Sequence, residues 1–470
     1  MSEQPTKSPD LVESFSGVRG IYGQGITEDL AYRYAFCFAR LFCNQSDILA
    51  IGGDTRHSTP SLRQAMLRAF SDAGLKKVLD LGVVPIQVAE YAVVTLKARG
   101  GVYITASHNE PEYNGWKFLK EDGGILYPEQ SDRLVAQVYS SSELQAIKNE
   151  VGLEVIDKHQ EAIDEYVKYV VAKIGTGSQG KIKQMGPKLL IDPNGGSALV
   201  VLSQLFSALG VQAEIINNQP GQFNRLIEPK AESLTYLADR MVSNDFAFAA
   251  GFDCDADRME IVLSPDSTFA KKMGTPNVSG NYVLALACDA ILRGTEGQVV
   301  PTNDVTSYLV RDVIKKYGAI THEVEVGEIN VVEAMEAKHS IIGGEGSCAG
   351  VIVFPIKCRD GIITLALALK LIADEEKGLS DILNNYPAYF SDRTKVASSP
   401  EKAVVIRGKI EEYFKEKGWS VQKTGDETGG LKAHLDNNSY VWFRQSKTEP
   451  GVFRIYTEGD GSQKKVTELL

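Results

Sequence analysis

The chain lacks the cysteine pairs that would mark a metal or redox motif. Its six cysteines, at positions 37, 43, 254, 288, 348 and 358, form no Cys-x-x-Cys pair and no zinc-like set with the six histidines. Scattered thiols with no secretion signal ahead of them suit a reducing compartment, so a cytoplasmic location is expected. Residues 1–10 are polar and contain no hydrophobic signal segment. No apolar run approaches the length needed to cross a bilayer. Blocks dense in Lys and Arg are missing and the net charge is −11, which excludes a general nucleic-acid surface. It does not exclude anionic small molecules, because local charge can oppose net charge. What is present is ordinary for a soluble globular protein, with 43% apolar and 24% charged residues. At 470 residues the chain is too long for one compact core and predicts three or four domains.

Apolar runs alternate with helical patterns along most of the length. Thr27 can cap a helix reaching Phe42, and residues 48–51 read as a strand entering Gly52-Gly53-Asp54-Thr55-Arg56. Pro60 after Ser58 and Thr59 suits a helix start, Leu62, Ala65, Met66, Ala69 and Phe70 share one face, and Gly74 ends the helix. Strand 77–81, helix 86–95 and a strand before Ser107 follow, the alternation expected of parallel crossovers. The charged stretch 140–164 reads as a link to a second α/β unit, which has strands near 188–192, 211–216 and 246–252. A third unit begins near Gly274, so three repeats are expected. Residues 380–470 switch to an α+β pattern.

Two stretches carry chemistry. In the first, Val102-Tyr103-Ile104 runs into Thr105-Ala106-Ser107-His108-Asn109 and, after Asn114-Gly115, Lys117. That is a buried strand ending in a polar loop, where α/β sheets meet their ligands. In the second, Asp253, Asp255 and Asp257 alternate along what reads as an extended segment. Their carboxylates can then converge on one side. Three close carboxylates repel unless a cation compensates them, and a hard divalent ion is the natural partner. An EF-hand also begins Asp-x-Asp-x-Asp, but Arg258 stands where it needs Gly and Ser264 where it needs Glu. The haloacid dehalogenase pattern is a nearer rival, and Arg258 does not fit that either.

The first stretch resembles the phosphoserine loop of the α-D-phosphohexomutases, with Glu110 where that family usually has Pro. Gly251-Phe252-Asp253-Cys254-Asp255-Ala256-Asp257-Arg258 resembles their metal loop, and Gly17-Val18-Arg19-Gly20 their N-terminal Arg segment. Arg444-Gln445-Ser446-Lys447-Thr448-Glu449-Pro450 resembles their phosphate loop, with Lys447 for a small residue, and residues 343–350 their sugar loop. Two further departures are Gly53, where the family has Arg, and Glu328, where many members have a cationic or His residue.

The resemblance implies three similar α/β mixed-sheet domains plus a C-terminal α+β domain around a central cleft, bounded as 1–150, 151–265, 266–378 and 379–470. It implies Mg²⁺ held by Asp253, Asp255, Asp257 and an oxygen of phosphoserine at Ser107. His108, Lys117, Arg19 and Arg258 are the accompanying catalytic candidates. Glu345 and Ser347 are candidates for the sugar hydroxyls, and Arg444, Ser446, Thr448 and Arg454 for the phosphate that is not transferred. The implied activity interconverts hexose 1- and 6-phosphates through a sugar 1,6-bisphosphate, with closure of the C-terminal domain excluding water. The partner is a phosphosugar, with no membrane or nucleic acid, in a monomer or homodimer. Phosphoglucosamine mutase, a phosphatase using Asp253, and a silent phosphosugar-binding protein are the alternatives.

Overall fold

The computed structural model describes residues 11–14, 16–140, 152–242, 244–346, 350–447 and 451–470. The chain forms two compact units, Met1–Asn277 with Pro355–Asp374, and Val278–Phe354 with Glu375–Leu470.

The first unit holds two sheets. Strands β1 (Val12–Ser14), β2 (Gly17–Ile21), β3 (Ile48–Gly53), β4 (Lys77–Val83), β5 (Gly100–Ile104), β6 (Tyr113–Lys120) and β7 (Glu154–Asp157) form one, in the order β1-β2-β6-β5-β3-β4-β7. Strand β3 lies parallel to β4 and β5, and β6 closes antiparallel on β5. The second sheet contains β8 (Lys188–Asp192), β9 (Gln212–Ile215), β10 (Phe248–Phe252), β11 (Met259–Val262) and β12 (Asn277–Val278), in the order β12-β11-β10-β8-β9. Again β8 is parallel to β9 and β10, and β11 is antiparallel to β10.

Local sequence explains the helices that cover the first sheet. Thr27 accepts a hydrogen bond from the Leu30 amide at 3.2 Å and so caps helix Glu28–Phe42. Helix Thr59–Asp72 buries the predicted stripe of Leu62, Ala65, Met66, Ala69 and Phe70. Each large side chain in that stripe contributes about 1.5–3 kcal/mol by leaving water. Of the stretch expected as a link, residues 141–151 lie outside the described residues, and the rest is structured: β7 pairs in parallel with β4, and helix His159–Ile174 starts two residues later. Its charge lies on the outer face of an amphipathic helix whose Ala162, Ile163, Tyr166, Val167 and Val170 are buried. Charge density therefore does not mark a link over residues 154–164.

The second unit repeats the plan. Strands β13 (Val299–Asn303), β14 (Ile320–Val324), β15 (Ile342–Glu345) and β16 (Gly350–Val353) are ordered β14-β13-β15-β16, with β16 antiparallel to β15. Each of the three α/β sheets thus has its first strand flanked by its second and third, with an antiparallel fourth beside the third. The point where strand order reverses lies between the first and third strands, and loops leaving their carboxyl ends there form ligand sites. The remaining sheet is antiparallel throughout: β17 (Tyr389–Ala397), β18 (Ser420–Lys423), β19 (Leu431–His434), β20 (Ser439–Gln445) and β21 (Val452–Asp460), ordered β17-β21-β20-β19-β18. Among the described residues no helix is long and apolar enough to cross a membrane.

Candidate active site

The serine loop leaves the carboxyl end of β5, a strand buried along its whole length. Ser107 is itself buried and has φ +54°, a left-handed conformation that costs a non-glycine residue about 1–3 kcal/mol. Its amide donates to Thr105 Oγ1 at 2.8 Å, and its Oγ lies 3.3 Å from His108 Nδ1. The chain returns through Asn114, whose side-chain Nδ2 donates to Ser58 Oγ at 2.7 Å, and Gly115. A Cβ at Gly115 would stand 1.9 Å from the Val18 carbonyl oxygen, so only glycine lets β2 and β6 pair here. Arg19 sits opposite Gly115 across that pair, and Lys117, two residues on, shares its face.

The carboxylates come from the corresponding place in the second sheet. The expected extended segment is instead a hairpin loop: β10 stops at Phe252, Phe252 pairs with Met259, and Ala256 has φ +61°. Curling of the loop, rather than alternation along a strand, brings one oxygen of each of Asp253, Asp255 and Asp257 within 4.8 Å of the others. Hydrogen bonds to its backbone hold the curl. Asp255 O accepts from the Ile86 amide at 3.2 Å, and Cys254 O from the Ser197 amide at 2.8 Å. Ala256 O accepts from Gln87 Nε2 and from the Gly361 amide, both at 3.1 Å.

Electrostatics show what this loop needs. All three carboxylates are fully buried, and burial together with Asp257 and Asp255 pushes Asp253 well up. Burial and Asp257 raise Asp255 to about 6, partly offset by Lys117. Burial also opposes ionisation of Asp257, but Arg359, Lys117 and Arg258 overcome it and hold that carboxyl low. Among the described residues, one oxygen on each of the three is buried without a hydrogen-bond partner. A hard divalent cation fits those three oxygens.

The two loops meet at Thr105, whose Oγ1 lies 3.1 Å from Asp255 Oδ2. A basic group surrounds them. Arg258 Nη1 donates to Glu228 Oε1 at 2.5 Å, and Arg359 Nη2 donates to Asp257 Oδ2 at 2.6 Å. Burial and the neighbouring Arg258 and Arg359 lower the Arg19 pKa. Burial and Arg258 depress His108 to about 3, so its ring is neutral near pH 7.

Ser107, His108, Lys117, Arg19, Arg258 and the three aspartates therefore all belong to the first unit, whereas the expected sugar and phosphate residues belong to the second. There Glu345, at the end of β15, is buried and accepts from the Gly327 amide at 3.0 Å and Asn303 Nδ2 at 3.2 Å. Arg444 and the exposed Arg454 face each other across β20 and β21, and Ser446 is buried. Arg444 Nη2 and Lys447 Nζ both pair with Glu325 Oε1, at 3.1 and 2.7 Å. Ser347 and Thr448 lie outside the described residues. Sequence reasoning missed Arg359, just before helix Gly361–Glu375, and Arg56, two residues beyond Asp54. Position after a strand end or before a helix start was the available signal.

Comparison with known proteins agrees with this arrangement. Models described as phosphoglucomutase/phosphomannomutase alpha/beta/alpha domains I, II and III match residues 13–145, 164–276 and 279–389. A phosphoglucomutase/phosphomannomutase of Thermococcus kodakarensis is 30% identical over 462 residues, covering 97% of this chain and 95% of its own. A probable phosphoglucosamine mutase of Methanopyrus kandleri is 28% identical, with 97% and 95% covered. In fold, the chain is similar to a phosphoglucomutase/phosphomannomutase family protein from Burkholderia thailandensis, with a TM-score of 0.79, 21% identity, and coverage of 97% and 95%. Repeat and relatives together define an enzyme of the mutase class, an isomerase. The chain belongs to the phosphoglucomutase/phosphomannomutase family.

Proposed function

We propose that this enzyme moves a phosphoryl group between the 1- and 6-positions of a hexose phosphate, with Ser107 as the carrier, and that mannose and glucose phosphates are its substrates. The observation that carries the reading is the contact of Thr105 with both the Ser107 amide and Asp255, which supports a shared site for serine and carboxylates. Asp253, Asp255 and Asp257, with a phosphoserine oxygen, would hold Mg²⁺, which when bound supplies charge that offsets the phosphoryl oxygens.

The chain's own residues then act as follows. Phosphoserine at Ser107 carries about −1.5 to −2 charges at neutral pH. Lys117, Arg258, Arg19 and Arg359 offset that charge and the charge that develops in transfer. The Ser107 Oγ–P bond breaks as the sugar hydroxyl oxygen bonds to phosphorus. His108 Nδ1, neutral and 3.3 Å from Ser107 Oγ, is our candidate to take the hydroxyl proton and hand it to Ser107 Oγ. The bisphosphorylated sugar turns and returns its other phosphoryl to Ser107. Arg444, Ser446, Thr448 and Arg454 are assigned to the phosphate that stays, and Glu345 and Ser347 to sugar hydroxyls. Arg forks and hydroxyls suit phosphate oxygens.

Ser107→Ala is expected to abolish turnover in a coupled mutase assay with Mg²⁺ and a bisphosphate activator, and retained turnover would refute the assignment. The same assay across the 1-phosphates of mannose, glucose, glucosamine and a pentose tests the sugar. Preference for glucosamine 1-phosphate would favour the second reading, which the Methanopyrus relative supports.

A further inference from the structure

The chemistry above leaves unused a buried hydrogen-bonded chain behind the serine. Arg56 is 1% exposed, and its guanidinium is satisfied along every edge. Nε donates to Asp54 Oδ2 at 3.1 Å. Nη1 donates to the carbonyls of Glu110 at 2.7 Å and Tyr113 at 3.0 Å. Nη2 donates to those of Ser107 at 2.8 Å and Asn109 at 2.5 Å. One planar fork thus holds four carbonyls spread over the whole turn from the serine to the start of β6. The same Asp54 Oδ2 accepts from Thr105 Oγ1 at 2.8 Å. That hydroxyl in turn accepts from the Ser107 amide and lies 3.1 Å from Asp255 Oδ2, so its single proton is shared between two carboxylates.

We infer that Arg56 and Thr105 are positioning residues: through Asp54 they hold Ser107 in its left-handed conformation and fix its place relative to Asp255. This rests on the reading of Ser107 as phosphoryl carrier. Two facts separate positioning from ordinary packing. The serine backbone sits in a region that non-glycine side chains rarely adopt, and such strain persists only where surroundings over-determine it. The restraint also acts on both atoms flanking the Ser107 side chain, amide through Thr105 and carbonyl through Arg56, and its far end is a carboxylate of the triad. Lysine retains the charge of Arg56 but has a compact ammonium without the planar fork, so it does not replace four carbonyl contacts.

The test uses the full chain, dephosphorylated, with Arg56→Lys, Thr105→Val and Thr105→Ser. Phosphoryl uptake from glucose 1,6-bisphosphate is timed by intact mass on protein shown to be folded by circular dichroism. Misplacing a reacting group by about 1 Å costs about 10²-fold in rate, so uptake should slow about that much in Arg56→Lys, with half-saturation changed less than about threefold. Thr105→Val should slow uptake about tenfold and weaken Mg²⁺ binding by calorimetry about 10–100-fold, the range for residues that orient metal ligands. Thr105→Ser, which keeps the hydroxyl, should restore both. Should Arg56→Lys not fold, the Thr105 pair decides alone. Wild-type protein that takes up no phosphoryl overturns the carrier reading and this inference with it. Wild type that does, alongside Thr105→Val with unchanged uptake and Mg²⁺ affinity, overturns this inference only.

Discussion

The first and second repeats share a strand order and differ in what they deliver from it. Behind each switch point stands an aspartate at the end of, or just after, the first strand: Asp54 follows β3, and Asp192 ends β8. Each pairs with a buried arginine, Arg56 with Asp54 at 3.1 Å and Arg225 with Asp192 at 2.7 Å. Each arginine also reaches the backbone on the third-strand side, Arg56 at the serine loop and Arg225 at Phe252 O, 2.6 Å away, one residue before Asp253. Beyond the third strand the likeness ends, with a serine in one and three carboxylates in the other. The fold supplies equivalent positions, and the residues placed there supply the chemistry. On the function proposed above, the carboxylate ending the first strand of the second repeat serves architecture, and those after its third serve the reaction.

Substitution of Asp257 and of Asp192 should break that comparison most visibly. Asp257→Asn removes a triad oxygen and the partner of Arg359, and mutase turnover should fall about 10³-fold with little change in melting temperature. Asp192→Asn should do the reverse. Asp192 accepts from Tyr236, from Asn217 at 3.1 Å and from Arg225, so its loss leaves buried donors unpaired. A stability loss of about 1–3 kcal/mol with near-normal turnover per folded molecule is expected from calorimetry and assay. Equal losses of turnover in the two variants would erase the distinction.

The third repeat sharpens the comparison, because its switch-point helix is held by another sheet. Glu458 on β21 accepts from the Tyr308 amide at 2.7 Å, at the start of helix Tyr308–Ile314. Burial raises Glu458 from 4.5 to about 7, against the opposing pull of Ser307, the Tyr308 amide, Lys432 and Arg311. Between those two pH values the folded chain keeps a proton that the unfolded chain has lost. The stabilisation is therefore complete below pH 4.5 and fades as pH rises through about 7. Its size is about 3 kcal/mol at about 1.4 kcal/mol per pKa unit. Urea unfolding of the second unit should accordingly show a midpoint that falls from pH 5 to pH 8, and Glu458→Gln should flatten that slope.

Much of this was legible without coordinates. Hydrophobic period and capping located helix Ile86–Thr95, helix Thr59–Asp72 and most central strands within a few residues. The serine and aspartate loops, read as chemical, both leave third strands, whereas the loop read as phosphate-binding follows β20 of the antiparallel sheet. Edge elements were not legible. Strand β17 exposes alternate polar residues and contains Ser391, Asp392, Arg393, Thr394 and Lys395, so it carries no buried run to detect. The Asp loop was read as extended because alternation in sequence is the same for a strand and for a curl. The left-handed Ala256 and the Phe252–Met259 pairing distinguish them in the structure. Arg56 and Arg359 escape because a buried arginine that grips backbone, or a half-buried one that grips a carboxylate, looks like a surface arginine in sequence. Gly53, noted as a missing arginine, is now explained: a Cβ there would stand 2.7 Å from Thr59 Cγ2 and 3.0 Å from Ile104 O.

The two arginine clamps give the finest test of how the repeats differ. Arg225 spends most of its donors on its own neighbourhood: Asp192, Leu226 O at 2.9 Å and Ile227 O at 3.2 Å. Among the described residues its hydrogen bond to the strand that delivers the triad is to Phe252 O, and the loop beyond keeps its own restraints from Ile86, Gln87, Ser197 and Gly361. Arg56, by contrast, holds four carbonyls of the serine loop itself. Arg225→Lys should therefore cost turnover about tenfold or less, which is about 1.4 kcal/mol in the barrier. That is about an order of magnitude milder than Arg56→Lys in the same assay at saturating substrate. If Arg225→Lys proves as damaging as Arg56→Lys, the carboxylate loop depends on its arginine as heavily as the serine loop does. The two repeats would then be clamped alike, despite the different number of loop carbonyls each arginine holds.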